Sequence, residues 1–236
     1  MLRELATIVE AMAAAAREAG VQIVTGDTKV VERGKGDGIF INTAGIGRVL
    51  AGVNVSSELA RPGDAVLVSG TVGDHGVAIM SQRQGLQFET ALESDSAALN
   101  HLVMRRAEAG GGSLRVLRDP TRGGVAATLN EVAAQSGVGI RLQEHSIPVR
   151  DEVRGACELL GLDPLNVANE GKLIAIVDAG SAQSLLEVMR SDPCGVDAAM
   201  IGEVTEDPMR LVRMVTEIGG ERVIDWLHGE QLPRIC

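Results

Sequence analysis

Aromatic side chains are almost missing from this sequence: Trp226, Phe40 and Phe88 are all it has, with no tyrosine. Proteins that hold single-stranded nucleic acid stack bases on aromatic platforms, so the composition argues against that class. An excess of cations is missing too. The formal charge is -10, whereas phosphate backbones are bound by clustered Lys and Arg. No nucleic-acid partner is expected. Cysteine is scarce: Cys157, Cys194 and Cys236 lie far apart and match no zinc-ligand spacing. The histidines likewise have no partners at metal-ligand spacing. No apolar run is long enough to cross a bilayer, and no membrane partner is expected. The first residues carry charges among alanines instead of the apolar stretch of a signal peptide. Cytoplasm is the expected compartment, and there a free thiol stays reduced. Neither G-x-G-x-x-G nor a Walker phosphate loop occurs.

What is present is an aliphatic, alanine-rich chain of 236 residues, 45% hydrophobic. Leu5, Ile8, Val9 and Met12 follow helical spacing, which predicts a helix over 3–19 closed by Gly20. Two β-rich runs follow, 21–31 and 38–50, joined by the turn-forming "ERGKGDG". "RPGD" at 61–64 is a second strong turn and the best domain boundary. Beyond it strands and helices alternate. "AVLVSG", "SLRVLRD", "VGIRLQEH" and "KLIAIVDAG" read as strands. Helices are expected near 75–84, 95–109, 120–137, 150–161 and 182–190. The runs 199–205 and 210–215 read as a hairpin around "TEDP". This alternation indicates an α/β (α+β) fold with a mixed sheet covered by helices. The expected division is a first domain over 1–60, a second over 61–225, and a flexible tail over 226–236.

Four stretches carry candidate chemistry. In "RDPTRGGVA", Asp119 can cap a helix that begins at Pro120. Gly123 and Gly124 do not suit a helix interior, where each costs roughly 1 kcal/mol against alanine. They point to close backbone approach, either of another element or of a ligand. A helix end with free N–H groups beside Arg122 makes a phosphate cradle, and both readings stay open. In "VTGDTKVVE", Asp27 and Lys29 are either the solvent face of an edge strand or a magnesium ligand and a phosphate partner or base. In "NEGKL", Glu170 precedes an apolar strand, where α/β folds place reactive groups. It is either a general base or a surface carboxylate. Last, "PRIC" leaves the thiol of Cys236 on the chain terminus, where it packs against little and is open to reaction.

Taken together, "GDTKVV", "GDHG", "DPTRGGVA", "NEGKL" and the terminal "PRIC" resemble the HypE family of hydrogenase-maturation proteins. That family sits in the ATP-using superfamily of aminoimidazole ribonucleotide synthetase, selenophosphate synthetase and thiamine-monophosphate kinase. The resemblance runs over nearly the whole chain, and the "PRIC" ending narrows it to one branch. It implies that Cys236 receives a carbamoyl group from the carbamoyltransferase HypF. ATP then phosphorylates the carboxamide oxygen, loss of phosphate leaves an S-bound cyanide, and the HypC–HypD scaffold accepts it for the iron of [NiFe]-hydrogenase. Lys29 and Glu170 become candidates for the carboxamide protons, and Asp27 and Asp119 for Mg2+ and nucleotide. Thr121, Arg122, Gly123 and Gly124 become the phosphate loop. About ten residues from Leu227 could extend roughly 33–36 Å, enough for the thiol to travel.

The family's chains begin well before this one does, with strands that build a dimerising barrel. The expectation is therefore a shortened first domain, a homodimer whose state is open, and little or no ATPase activity for this chain alone. Two other readings stand beside the dehydratase. One is another ATP-dependent synthetase of the superfamily. The other is a non-catalytic carrier that presents its modified tail to a scaffold.

Overall fold

Short apolar runs, continuous at the centre of the sheet, build its strands. The computed structural model describes residues 2–36, 38–84 and 92–226, without the side chains of 2, 84 and 106–110. It divides into two units, Met1–Ala51 and Gly52–Cys236. In the second unit, strands β1 (Ala65–Val68), β2 (Leu114–Arg118), β3 (Gly139–Gln143), β4 (Ile174–Val177), β5 (Ala199–Thr205), β6 (Val212–Val215) and β7 (Glu221–Ile224) form one sheet. Its order is β2-β4-β1-β5-β3-β6-β7. Every neighbouring pair is antiparallel except β3 with β6, so the sheet is mixed.

Period-two geometry sends alternate side chains to opposite faces. Val66, Val68, Ile174 and Ile176 pack with Val125, Leu129 and Val132 of helix α4 (Gly124–Ser136). Ala65, Leu67, Ala175 and Val177 pack on the other face. There they meet Leu102 of α3 (Asn100–Gly110) and Leu185 and Met189 of α6 (Ala179–Arg190). A third cluster joins Val77 and Met80 of α2 (Asp74–Gln84) to Val153, Ala156 and Cys157 of α5 (Asp151–Leu160). Burying both faces explains why β1 and β4 read as continuous apolar runs. The expected α/β fold with a mixed, helix-covered sheet is therefore present. Among the described residues no helix is long and apolar enough to cross a membrane.

Four expectations are corrected. In the first unit α1 forms over Leu2–Glu18, but no strand forms among the described residues of 21–31 and 38–50. Their β-branched side chains are exposed, Val24 at 85% and Val30 at 82%. A strand needs a ladder partner for its backbone groups, and no other strand is present among the described residues of this unit. Next, α4 starts at Gly124 and not at Pro120, with Gly123 as its N-cap at φ 72°. Asp119 does not cap it. The stretch 95–99 is not helical, and α3 begins at Asn100. Finally, β5 and β6 do not pair, because β3 lies between them, antiparallel to β5 and parallel to β6. The hairpin is instead β6–β7, and β7 was not anticipated. The tail residues 227–236, with Cys236, lie outside the described residues.

Candidate active site

Antiparallel pairing brings three separate motifs to one end of the sheet. Val68, at the end of β1, and Arg118, at the end of β2, both pair with Ile174 at the start of β4. The loops after β1 ("SGTVGDHG") and β2 ("DPTRGG") and before β4 ("NEGKL") therefore converge. The β1–β4 ladder continues one step further: Ser69 N–H donates to the Leu173 carbonyl at 3.0 Å. Leu173 N–H donates to Ser69 Oγ, also at 3.0 Å.

Asn169, fully buried, ties the three loops together. Its Oδ1 accepts from Gly73 N–H at 2.8 Å. Its Nδ2 donates to the carbonyls of Pro120 at 3.1 Å and Val167 at 3.0 Å. Its own backbone N–H also donates to Pro120 O, at 3.1 Å. A buried side-chain amide with all three ties made holds its loops rigidly, since releasing any of them orphans a buried polar group.

Packing accounts for Gly124. A Cβ there would lie 2.4 Å from Leu165 O and 2.6 Å from Val167 O, and its φ is +62°. The start of α4 is thus pressed on the 3-10 turn Pro164–Asn166. Gly123 has a positive φ as well, and a Cβ would meet that of Ala127 at 2.6 Å. Thr121 accepts from Gly124 N–H at 3.0 Å to close the turn. Asp119 and Arg122 are exposed at its rim, and the Asp119 carbonyl faces Thr128 Oγ1 at 3.5 Å.

Glu170 has one carboxylate oxygen, Oε1, that is buried without a hydrogen-bond partner. Its backbone N–H donates to Asp95 Oδ1 at 3.0 Å, and Asp95 Oδ2 forms an ion pair with Lys172 Nζ at 3.0 Å. In the loop after β1, Thr71 Oγ1 donates to Asp74 Oδ2 at the start of α2. His75 shares its Nδ1 with Ser94 Oγ at 2.8 Å, while Nε2 is buried without a partner. Asp27 and Lys29 belong to the first unit, where both are exposed. Among the described residues, no three acidic, histidine or cysteine side chains gather where they could hold a metal ion.

Burial, with the nearby Asp163 carboxylate, pushes the Cys157 thiol up to about 11. It stays protonated and inert at neutral pH.

Sequence reasoning singled out Glu170 and the glycine pair, which lie in these converging loops, and passed over Asn169, Asp95 and Lys172. Asn169 had a signal, a polar residue just ahead of a wholly apolar strand. Asp95 had none, since "ESDSAAL" has no period and no motif.

Residues 61–213 match the family described as AIR synthase related protein, C-terminal domain, and residues 2–49 match the N-terminal domain of the same family. Carbamoyl dehydratase HypE of Bradyrhizobium diazoefficiens is 62% identical over 233 residues, covering 99% of this chain and 67% of that protein. A crystal structure of hydrogenase maturation protein HypE in complex with ATP superposes with a TM-score of 0.95 at 50% identity, covering 100% of this chain and 71% of that one. HypE in a HypE–HypF complex gives a TM-score of 0.87 at 45% identity, covering 96% and 73%. With identity this high along its full length, and with the loops of the motifs gathered at one end of the sheet, the chain belongs to the HypE family of carbamoyl dehydratases among the AIR synthase related proteins.

Proposed function

We propose that this chain is an ATP-dependent carbamoyl dehydratase acting on its own C-terminal thiol during [NiFe]-hydrogenase maturation. A HypF-type carbamoyltransferase loads Cys236 as an S-carbamoyl group. The carboxamide oxygen attacks the γ-phosphorus of ATP, and ADP leaves. Loss of one amide proton gives an S-bound imidate phosphate. Loss of phosphate and the second proton leaves the thiocyanate, so the oxygen departs in inorganic phosphate. The cyanide then passes to an iron held by a HypC–HypD scaffold.

The observation that carries this reading is the uncommitted, buried Oε1 of Glu170 at the junction of three loops. A general base needs a lone pair free to accept the proton. Glu170 and Lys29 are assigned the two amide protons. Thr121, Arg122, Gly123 and Gly124 are assigned to the phosphoryl group, with Asp119 on the nucleotide and Asp27 on Mg2+. Such a loop suits phosphoryl transfer, which needs mainly positioning and charge neutralisation. The inert Cys157 supports the terminal thiol as the carrier. The exposed valines and isoleucines of 21–49 support a homodimer, because β-type residues without a ladder partner find one in a second copy.

The test is mass spectrometry of the Cys236 peptide after HypF loading and addition of ATP. We expect loss of one water from the carbamoylated peptide in the native chain, in place of the low activity that a shortened first domain suggests, because the three motif loops are assembled within the second unit. Cys236→Ser should take up no carbamoyl group and melt unchanged, and Glu170→Gln should load without dehydrating. A carbamoyl mass that persists in the native chain with ATP would instead support the carrier reading.

A further inference from the structure

We propose that Ser94 and Asp95 form a positioning strap for Glu170, anchored by the Asp95–Lys172 ion pair. The inference rests on the reading of Glu170 as the base. Asp95 grips the glutamate from both flanks: Oδ1 accepts from Glu170 N–H at 3.0 Å, and Oδ2 meets Lys172 Nζ, two residues on, at 3.0 Å. Both side chains are shielded, Asp95 at 4% exposure and Lys172 at 12%. Between them the fit admits only glycine, because a Cβ on Gly171 would lie 1.6 Å from the Asp95 carbonyl oxygen. The neighbouring Ser94 hydroxyl reaches His75 Nδ1 at 2.8 Å, so two consecutive residues span the loops after β1 and before β4.

Stability alone is a poor reason for this pair. Desolvating two ions commonly costs as much as their attraction returns, and apolar replacements are often at least as stable. The pair does supply geometry and charge balance. It fixes the Glu170 backbone at both ends, and the Lys172 ammonium neutralises a buried anion that would otherwise repel the Glu170 carboxylate. Asp95 and Lys172 touch neither ATP nor the carboxamide in this account. They act through Glu170.

The test uses the full chain with its tail carbamoylated, and reads the single-turnover dehydration rate, the KM for ATP and the melting temperature. The variants are Asp95→Asn, Lys172→Met, their double, Lys172→Arg and, as reference, Glu170→Gln. Asp95→Asn and Lys172→Met should each lower the rate about tenfold or more, the scale expected for a displaced catalytic group. The KM for ATP should not change. The double should be no slower than the worse single, as for residues that act as one unit. Lys172→Arg, which keeps the charge, should recover most of the rate. Native rates below the melting temperature in both single variants, with Glu170→Gln inactive, would overturn the strap and leave the base standing. A native rate in Glu170→Gln would overturn both.

Discussion

The stretches 21–50 and 61–224 start from the same raw material, short runs of valine and isoleucine broken by glycine and polar turns. In the second, each run finds a neighbour and becomes a strand of one sheet, whose central strands β1 and β4 are buried on both faces. In the first, the same residue types stay exposed and no strand forms among the described residues. β propensity describes how well a side chain suits a pleated, half-buried surface, and it supplies no partner. The comparison separates what a run of residues prefers from what its surroundings permit.

The severest way to break the ordered region is at its tie. Asn169→Ala would orphan Gly73 N–H and the Val167 carbonyl, and at about 1–3 kcal/mol for each buried unsatisfied group the expected loss is about 3 kcal/mol or more. Urea denaturation measures it, and a loss below about 1 kcal/mol would mean that the loops are held some other way. Gly124→Ala comes next. A methyl group against Leu165 O at a positive φ should cost about 2 kcal/mol, seen as a lower melting temperature. An unchanged melting temperature would show that the 3-10 turn gives way.

The exposed region responds differently. Val24→Lys with Val30→Lys should change stability by less than about 0.5 kcal/mol, as exposed sites usually do. Sedimentation should nevertheless show weaker self-association, and an unaltered distribution of species would remove this segment from any dimer. The last effect is absent at neutral pH and appears only in alkali. The folded Cys157 thiol lies near 11, above its unfolded value of 9.0, so the unfolded chain loses its proton first. The stability this group contributes is complete below pH 9.0 and is lost as pH rises towards about 11. The urea midpoint of the native chain should fall more steeply across that window than that of Cys157→Ala.

The positions of the converging loops were partly legible locally. Glu170 stood out as a charge before an apolar strand, and Gly124 as a glycine where a helix should begin. The start of that helix was misplaced because Asp119 and Pro120 look like a cap and first turn, whereas the carbonyls of Leu165 and Val167 hold the chain at Gly124. Asp95 was invisible. Its role depends on lying against Gly171, seventy-odd residues away, and no spacing within "ESDSAAL" encodes that approach.

By itself the sequence determined the periods: which residues alternate, which lie on one helical face, where turns fall, and which polar clusters end the strands. These depend on neighbours within a few residues, where side-chain geometry and burial act directly. Only the tertiary structure decided that β3 separates β5 from β6, that three loops meet on Asn169, and that Asp95 and Lys172 brace Glu170. Those outcomes rest on hydrogen bonds and ion pairs between distant residues, which exist only once the sheet has brought the chain ends of its strands together.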